Sequence, residues 1–311
     1  MPATSFSYRP THNRQEVRKS ILLLLPVLVF FLVFQYYPIL KSIVISFTEY
    51  GLLRRDTPFI GFTHYIRQFQ DPLFVAALWN TIVFVFFAVS IGFVLALGFA
   101  VLVERTGRWA KWYRTIYFIP VVTSLLASTM VWRWLYASNG LFNYFLTVAG
   151  FSPQAWLLNE SLALPSLIAL TIWKNVGFDM ILFGAALQAI PDSYYESSSI
   201  DGANDWDNFR FITLPQLRPI MLLVCVTAVI RSFQIFTTVL AMTQGGPINA
   251  TRTVVYHIYE QGIQYDDIGY ASAAAVVLLI IVGGLTYIQF RFGREKEDGK
   301  FEKSKGKREM R

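Results

Sequence analysis

The sequence predicts an all-α membrane protein with six transmembrane helices and both termini in the cytoplasm. Of the 311 residues, 54% are hydrophobic and only 15% are charged, and the mean hydropathy is +0.44. Soluble chains carry about 25% charged residues. The apolar residues form stretches of twenty or more, the length of helix that crosses about 30 Å of hydrocarbon. Because these stretches are continuous rather than alternating, they indicate helices and not barrel strands.

Six apolar stretches define a predicted transmembrane domain over residues 20–290. The first ends in Tyr36-Tyr37-Pro38 without a small-residue cleavage site, so we interpret it as a retained helix and not a signal peptide. Lys and Arg are concentrated in alternate segments outside the spans, and positive residues stay on the cytoplasmic side. The segment 1–19 and the basic tail 291–311 are therefore both expected in the cytoplasm. The predicted spans are approximately 20–40, 74–103, 115–135, 162–190, 219–242 and 270–290.

The charge pattern and the scarcity of reactive residues exclude several other function classes. We interpret the net charge of +7 as a topology signal rather than as a nucleic-acid-binding surface. The basic tail either contacts anionic lipid or only fixes orientation, the simpler interpretation. Cys225 is the only cysteine, and the three histidines lack metal-ligand spacing. No G-x-x-x-x-G-K-[ST] motif occurs, so energy must come from another polypeptide.

The segment 191–219, between the fourth and fifth spans, carries dense helix signals. Ser193 and Glu196 have the spacing of a capping box, which predicts a helix start near Ser193. In the Asp201-Gly202 turn, Gly202 is free to adopt positive φ, and we expect Asp201 to bond local backbone N–H groups. Asn204 can cap a second helix that Pro215 ends after Leu214. The segment is therefore predicted to be a helix, a turn and a helix.

An apolar face is predicted on the second of these helices. Trp206, Phe209 and Ile212 recur at three-residue spacing. Such a face fits the groove of a partner protein. The alternative, a hairpin resting on lipid headgroups, would require a polar face richer in Lys and Arg.

This segment resembles the EAA loop of the permease subunits of binding-protein-dependent ABC importers. Serines 197 and 198 stand where the family has two alanines. The residues that carry the resemblance are Glu196, Ser197, Ser198, Asp201, Gly202, Ala203, Phe209, Ile212, Leu214 and Pro215. Elsewhere, Trp173-Lys174-Asn175, Ala186-Leu187-Gln188 and Gly245-Gly246-Pro247 are similar to the sugar-uptake branch of that family.

The resemblance implies a type I ABC importer permease fold in the bacterial inner membrane. It also implies a second similar permease, two ATPase subunits, a periplasmic or lipid-anchored substrate-binding protein and membrane lipids as partners, and no nucleic acid. ATP and Mg²⁺ would bind to the ATPase, so this chain needs no cofactor. The 193–215 segment would be the coupling helix, and its movement would switch the bundle between inward-open and outward-open states.

The resemblance also implies a substrate class. The expected substrate is a sugar or a sugar-like polyol, delivered by the binding protein. The alternative within the same importer class is glycerol phosphate or a glucosylated compatible solute. From a different class, a membrane-embedded transferase would need several carboxylates converging on one cation. A secondary transporter would need inverted repeats, and the sequence has no evident one.

Ionisable residues inside a span cost about 2.5–3.5 kcal/mol or more at the helix centre, and three stand out: Lys174, Asp179 and Arg231. Two of them, Asp179 and Arg231, are expected at nearly the same depth and could pair. Lys174 either reaches a water-filled cavity or pairs with the neighbouring permease. The sequence leaves these two alternatives open.

A polar strip is expected on the fourth and fifth spans. Asn175 shares a helix face with Asp179, and Arg231 shares one with Gln234 and Thr238. These groups could exchange hydrogen bonds with sugar hydroxyls along a substrate pathway. The alternative is interhelical bonding that only holds the bundle together, which we favour for Asp179 with Arg231, whereas Asn175 and Gln234 favour the pathway. The rings of Trp173, Phe178, Phe233 or Phe236 could contribute apolar faces.

Overall fold

A computed structural model describes residues 14–54 and 56–308, with side chains for 21–54, 56–291 and 293. Most of the predicted cytoplasmic segment 1–19, His12 included, lies outside the described residues, as does the end of the tail after 308. The described elements are helices, and one isolated antiparallel bridge joins Thr48 to Phe59. Four helices are long and apolar enough to span a membrane, or six spans result if each of two bent pairs counts as one.

The first span is a continuous helical segment that extends beyond the predicted end at residue 40. It comprises α1 (Arg14–Phe31), a π-helical turn (Leu32–Tyr36) and α2 (Tyr37–Ile45). The π turn lies directly before Pro38, and the Tyr37 N–H bonds the Leu32 carbonyl five residues back. Such a turn accommodates the N–H that proline lacks. Every side chain from 21 to 41 is exposed, whereas the end of α2 packs against the last helix of the bundle.

The centre of the bundle is the pair α4 (Pro72–Glu104) and α8 (Glu160–Gln188), which overlap the second and fourth predicted spans. Small residues such as Ala96 and Ala100 on α4 let the buried Met180 and Phe183 of α8 pack closely. Gly177 lets α8 approach the helix that contains Tyr117, because a Cβ at 177 would lie 1.9 Å from the Tyr117 carbonyl oxygen. The helices α3 (Thr63–Gln70) and α7 (Leu141–Val148) lie in the connections before α4 and α8.

The third predicted span, 115–135, is not one straight helix. It is divided into α5 (Ala110–Val122) and α6 (Leu125–Leu135), which meet at 97°. Thr123 and Ser124 between them are extended. Pro120 contributes to this break, because a proline in the last turn of a helix removes one of its hydrogen bonds.

The fifth predicted span, 219–242, also contains a break. The structure has α12 (Arg218–Phe233) and α13 (Thr237–Met242), separated by three residues. The Thr253 hydroxyl bonds the carbonyl of Ile235 in this break at 3.3 Å. Tertiary contacts therefore satisfy part of the backbone that an unbroken helix would have satisfied itself.

The remaining elements are α14 (Val254–Tyr259), a π-helical segment (Glu260–Gln264) and α15 (Ile268–Arg308). The apolar part of α15 is Ile268–Arg291, which overlaps the predicted sixth span. The helix continues through residues that the sequence analysis assigned to a separate tail. Charged residues with good helix propensity continue the hydrogen-bonding ladder past the apolar part.

Candidate functional site: a central cavity and a helical hairpin

A cavity of about 220 Å³, here called the central cavity, lies where the two broken spans meet. Leu125, the first residue of α6, lies on one side, and the α12 to α13 break lies on the other. Phe236 contributes a ring to the wall. Five polar residues of the sequence analysis line this cavity: Lys174, Asn175, Arg231, Gln234 and Thr238.

Asp179 and Arg231 form the interhelical ion pair expected from their depth. The Nη2 atom of Arg231 donates to both carboxylate oxygens, at 2.7 and 3.0 Å. Asp179 is only 5% exposed, whereas a third of the arginine side chain is open toward the cavity. The Phe178 ring lies 5.4 Å from the guanidinium and contacts it through a cation–π interaction. The pair therefore fixes the arginine, which lines the central cavity.

Lys174 bonds to the end of α5. Its Nζ contacts the carbonyl oxygens of Pro120 and Thr123 and lies 3.2 Å from the Thr123 Oγ1. Helix ends leave carbonyls without intrahelical partners, and a cation there also complements the helix dipole. Within this chain Lys174 thus caps the broken helix at the edge of the cavity. The sequence analysis expected Lys174 to reach a water-filled cavity or to pair with the neighbouring permease, and it did not predict this contact with the end of α5.

The amides at the central cavity differ in how they are held. The Nδ2 of Asn175 donates to the Thr171 carbonyl on its own helix at 2.9 Å, which fixes the side chain. Gln234 lies at the end of α12 and is exposed, whereas Thr238 is buried. Of the four rings named as alternatives, Phe236 lines the cavity, whereas Phe233 is buried in the core. Trp173 packs against Trp132 with ring centroids 5.5 Å apart.

The hairpin, residues 192–216, begins with α9 (Asp192–Ile200). It starts without the predicted capping box, because Pro191 occupies the N-cap position and no side chain caps the helix. Its other end is a Schellman motif: Gly202 has φ +78°, and the N–H of Ala203 bonds the Ser198 carbonyl at 3.0 Å. The Asp201 side chain makes no hydrogen bond to any described residue. The turn is therefore held by backbone bonds, contrary to the role expected for Asp201.

The second half of the hairpin contains α10 (Asp205–Asp207), a π-helical turn (Asn208–Thr213) and α11 (Leu214–Gln216). Asn204 caps it as predicted and forms a capping box with Asp207. Pro215 does not end the helix, because the π turn directly before it accommodates the missing N–H, as at Pro38. The 67° bend lies between this second half, which ends at Gln216, and α12.

The two halves of the hairpin are joined by polar side chains. The Ser198 hydroxyl donates to the Asn208 Oδ1 at 2.6 Å, and the hydroxyls of Tyr195 and Thr213 lie 3.0 Å apart. Ser197 bonds back to the Ser193 carbonyl, and Glu196 is exposed. A serine at 198 therefore supplies a bond that an alanine could not. Ala203, Leu214 and Pro215 are half-buried around this junction.

The apolar surface of the hairpin differs from the predicted face. Phe209 and Ile212 are half-buried, and Phe209 lines a groove against the ends of α4 and α8. The most exposed large apolar side chains are instead Ile200, Trp206 and Phe211, at 86%, 64% and 68%. The prediction that Phe209 and Ile212 share an exposed face with Trp206 is wrong in part, because Phe209 faces the ends of α4 and α8 and both side chains are half-buried.

Two acidic residues, Asp205 and Glu104, form contacts on the hairpin side of the bundle that the sequence analysis did not predict. Asp205 forms an ion pair with Arg105 at 3.1 Å, which joins the hairpin to the end of α4. Glu104 accepts from Arg114 and from Gln188. The Glu104-Arg105 pair directly after an apolar run was a signal for these contacts. Among the described residues, no group of three or more His, Cys, Asp or Glu could hold a metal ion.

A bundle of apolar helices with a polar cavity and a capped hairpin is the architecture of a membrane transporter component. Residues 88–292 match the family described as "Binding-protein-dependent transport system inner membrane component". The chain belongs to this family. It is the permease subunit of an ABC transporter and not an enzyme.

Relatives and solved structures agree over nearly the full chain. It is 33% identical over 279 residues to the lactose transport system permease protein LacF of Rhizobium radiobacter, covering 88% of this chain and 93% of that one. It is 31% identical to the sn-glycerol-3-phosphate permease UgpA of Escherichia coli, with 88% and 94% covered. A bacterial transporter that imports the acidic polysaccharide alginate has 25% identity and a TM-score of 0.80, with 91% and 98% covered.

Proposed function

We propose that this permease carries a sugar or a sugar-like polyol through the central cavity. The observation that supports this most directly is the grouping of amide, hydroxyl and guanidinium groups around one cavity beside the broken helices. Carbohydrates present many hydroxyls, which act as both donors and acceptors. The lactose permease relative agrees with this substrate class. Glycerol phosphate is the second candidate, supported by the glycerol-phosphate permease relative and by the cationic Lys174 and Arg231.

The hairpin is the proposed contact with the ATPase. It offers three exposed apolar side chains on a rigid, doubly capped frame, the kind of surface that a protein groove buries. On this assignment, Glu196, Ser197, Ser198, Asp201, Gly202, Ala203, Phe209, Leu214 and Pro215 form or support the coupling helix. ATP-driven closure of two ATPase subunits then moves the hairpin and rocks the bundle.

The other proposed partners follow from the arrangement of the chain. The exposed helix at 21–41 offers a long apolar surface to a second, similar permease and to lipid. A substrate-binding protein would dock on the face opposite the hairpin; a binding-protein complex is known for the alginate transporter, which is 25% identical to this chain. In this orientation the hairpin and both termini lie in the cytoplasm of a bacterial cell.

Uptake by the complete importer tests this function. The importer in proteoliposomes, with its binding protein outside and ATP inside, is offered labelled lactose, maltose, arabinotriose and sn-glycerol 3-phosphate. We expect ATP-dependent uptake of at least one of them. Gln234→Ala and Asn175→Ala should each reduce that uptake about tenfold, as expected for the loss of one or two substrate hydrogen bonds, while the complex still assembles.

The matched control is Gln264→Ala, an exposed glutamine outside both the cavity and the hairpin. It should leave uptake unchanged. If Gln234→Ala instead prevents assembly, the amide holds the bundle together and is not part of the pathway. If none of the four compounds is taken up, the proposed substrate class is wrong.

A further inference from the structure

A second and larger cavity opens on the face opposite the hairpin. Its volume is about 320 Å³, within the range of small-molecule sites of about 300–1,000 Å³. We call it the distal cavity. It is formed by the end of α6, the segment 155–158 and the end of α13 with its following loop. The residues important for its chemistry are Arg133, Tyr136, Ser138, Trp156 and Thr243.

Two aromatic walls of the distal cavity are held in fixed positions. The Tyr136 hydroxyl donates to the Ser166 carbonyl at 3.0 Å, and the Trp156 Nε1 donates to the Asn143 Oδ1 at 3.1 Å. Asn143 is itself buried, and its Nδ2 donates to the carbonyls of Ala137 and Gln154. Trp156 is half-buried, so part of its ring surface is left to contact a ligand, whereas Tyr136 is only 7% exposed and packs behind it with ring centroids 5.8 Å apart.

Polar groups of the same cavity remain available. Arg133 is exposed, and its Nη1 donates to the Ala241 carbonyl at 3.2 Å. Its other guanidinium nitrogens and the hydroxyl of the exposed Ser138 make no hydrogen bond to any described residue. Rigid rings beside free donors suit a ligand that has both apolar C–H faces and many hydroxyls. A carbohydrate has both properties.

The distal cavity is connected to the central cavity by two helices that pack together. α6 begins with Leu125 at the central cavity and ends beside Arg133 and Tyr136 at the distal one. α13 begins at the central cavity and ends with Met242 at the distal one. With a rise of 1.5 Å per residue, the residues that line the two cavities lie about 6–8 Å apart along α13 and about 12–17 Å apart along α6. The cavities are therefore consecutive along one path.

From this arrangement we propose that the distal cavity is a carbohydrate subsite that receives one end of a sugar chain before the chain reaches the central cavity. The inference rests on the proposed function and narrows its substrate to oligosaccharides, because the separation exceeds a single sugar ring. Arg133 and Ser138 bond the hydroxyls of the terminal sugar, and Trp156, supported by Tyr136, contacts its ring.

The single cysteine of the chain makes a protection experiment possible. In the complete importer carrying Cys225→Ser, Ser138→Cys places a thiol at the distal cavity, and Ser152→Cys places one on an exposed segment outside it. The probes are lactose, maltotriose, arabinotriose and alginate trisaccharide at millimolar concentration. We expect at least one probe to slow maleimide modification of Ser138→Cys at least threefold without affecting Ser152→Cys. If no probe slows it, the proposal is wrong.

A second variant tests the same site by kinetics. For a protecting sugar, Arg133→Ala should raise the KM of uptake about tenfold and change kcat less than twofold, because capture and not passage is impaired. Arg54→Ala removes another exposed arginine outside the distal cavity and should change neither. Unchanged KM in Arg133→Ala would overturn the role of this residue. If the proposed function is wrong, the unmodified importer will show no ATP-dependent uptake of the compounds offered. If only the subsite is wrong, uptake will occur, but no probe will protect Ser138→Cys.

Discussion

The central cavity and the hairpin differ in whether their functional side chains have bonding partners within the chain. In the cavity the charged groups are bonded within the chain, Arg231 to Asp179 and Lys174 to the end of α5. On the hairpin the turn between the two helices is capped on both sides, by the Gly202 Schellman motif and by Asn204, whereas the large apolar side chains are exposed. In lipid an unpaired charge is costly, so the cavity must satisfy its own polar groups. At an aqueous face an apolar side chain can stay uncovered until a partner buries it.

The largest expected effect comes from breaking the buried ion pair. Asp179→Leu leaves Arg231 unpaired; removing one partner of a fully buried pair costs about 3–5 kcal/mol, and the exposed third of the arginine places the expected cost at the lower end of that range. We expect this loss in the free energy of unfolding, measured by denaturation of the detergent-solubilised chain. The double variant Asp179→Leu with Arg231→Met should recover most of it, because apolar replacements of buried pairs are often neutral.

A matched exposed pair provides the control for this experiment. Arg54 and Glu49 form an ion pair at 3.2 Å, and both side chains are nearly half exposed. Glu49→Gln should cost less than about 1 kcal/mol, as is usual for surface pairs. If Asp179→Leu costs no more than Glu49→Gln, the buried pair does not stabilise the bundle. If the double variant also transports normally, Arg231 is not part of the pathway.

The sequence could predict the polar strip because depth and helix periodicity depend only on residue spacing. That reasoning brought Asn175, Arg231, Gln234 and Thr238 together, and the structure places all four at one cavity. It could not predict the breaks at Thr123 and Gln234, since apolar composition continues across both. These breaks depend on tertiary partners, such as Lys174 bonding the end of α5.

The hairpin shows the same limit on a smaller scale. Asn204 and Gly202 were predictable, because an N-cap and a positive φ have local sequence signals. The exposed face was not, because it depends on how the hairpin lies against the ends of α4 and α8, which Phe209 faces. Sequence periodicity gives the residues that share a helix face, but not the neighbour that the face meets.

The second largest expected effect is a dependence of stability on pH, caused by a buried histidine on the face opposite the hairpin. His257 is fully buried; this burial and the nearby Arg252 lower its pKa from 6.5 to about 4, against the opposing effects of Asp71 and Glu260. Because the folded-state pKa is depressed, its contribution to stability is complete above pH 6.5. It is lost as the pH falls from 6.5 through 4, by up to about 3 kcal/mol.

Unfolding measured between pH 7 and 4 tests this expectation. The stability of the wild-type chain should fall with decreasing pH, and His257→Gln should show a shallower fall because no imidazole becomes protonated. The hairpin apolar surface contains no histidine, so the Ile200→Ser variant discussed below should keep the wild-type pH profile. Identical slopes for wild type and His257→Gln would mean that this residue does not titrate on unfolding.

The smallest effect on the chain itself is expected at the hairpin surface, where the effect on a partner should be large. Ile200 is 86% exposed, so Ile200→Ser should change the free energy of unfolding by less than about 0.5 kcal/mol. If the ATPase buries this side chain, however, the same change should weaken co-purification of the ATPase severalfold. Ile263→Ser is the matched control, because Ile263 is 70% exposed and lies outside the hairpin. Equal ATPase retention by both variants would mean that the exposed Ile200 is not part of the ATPase contact. The central cavity would still bond its own charged groups, but the hairpin could no longer be described as a surface that a partner buries.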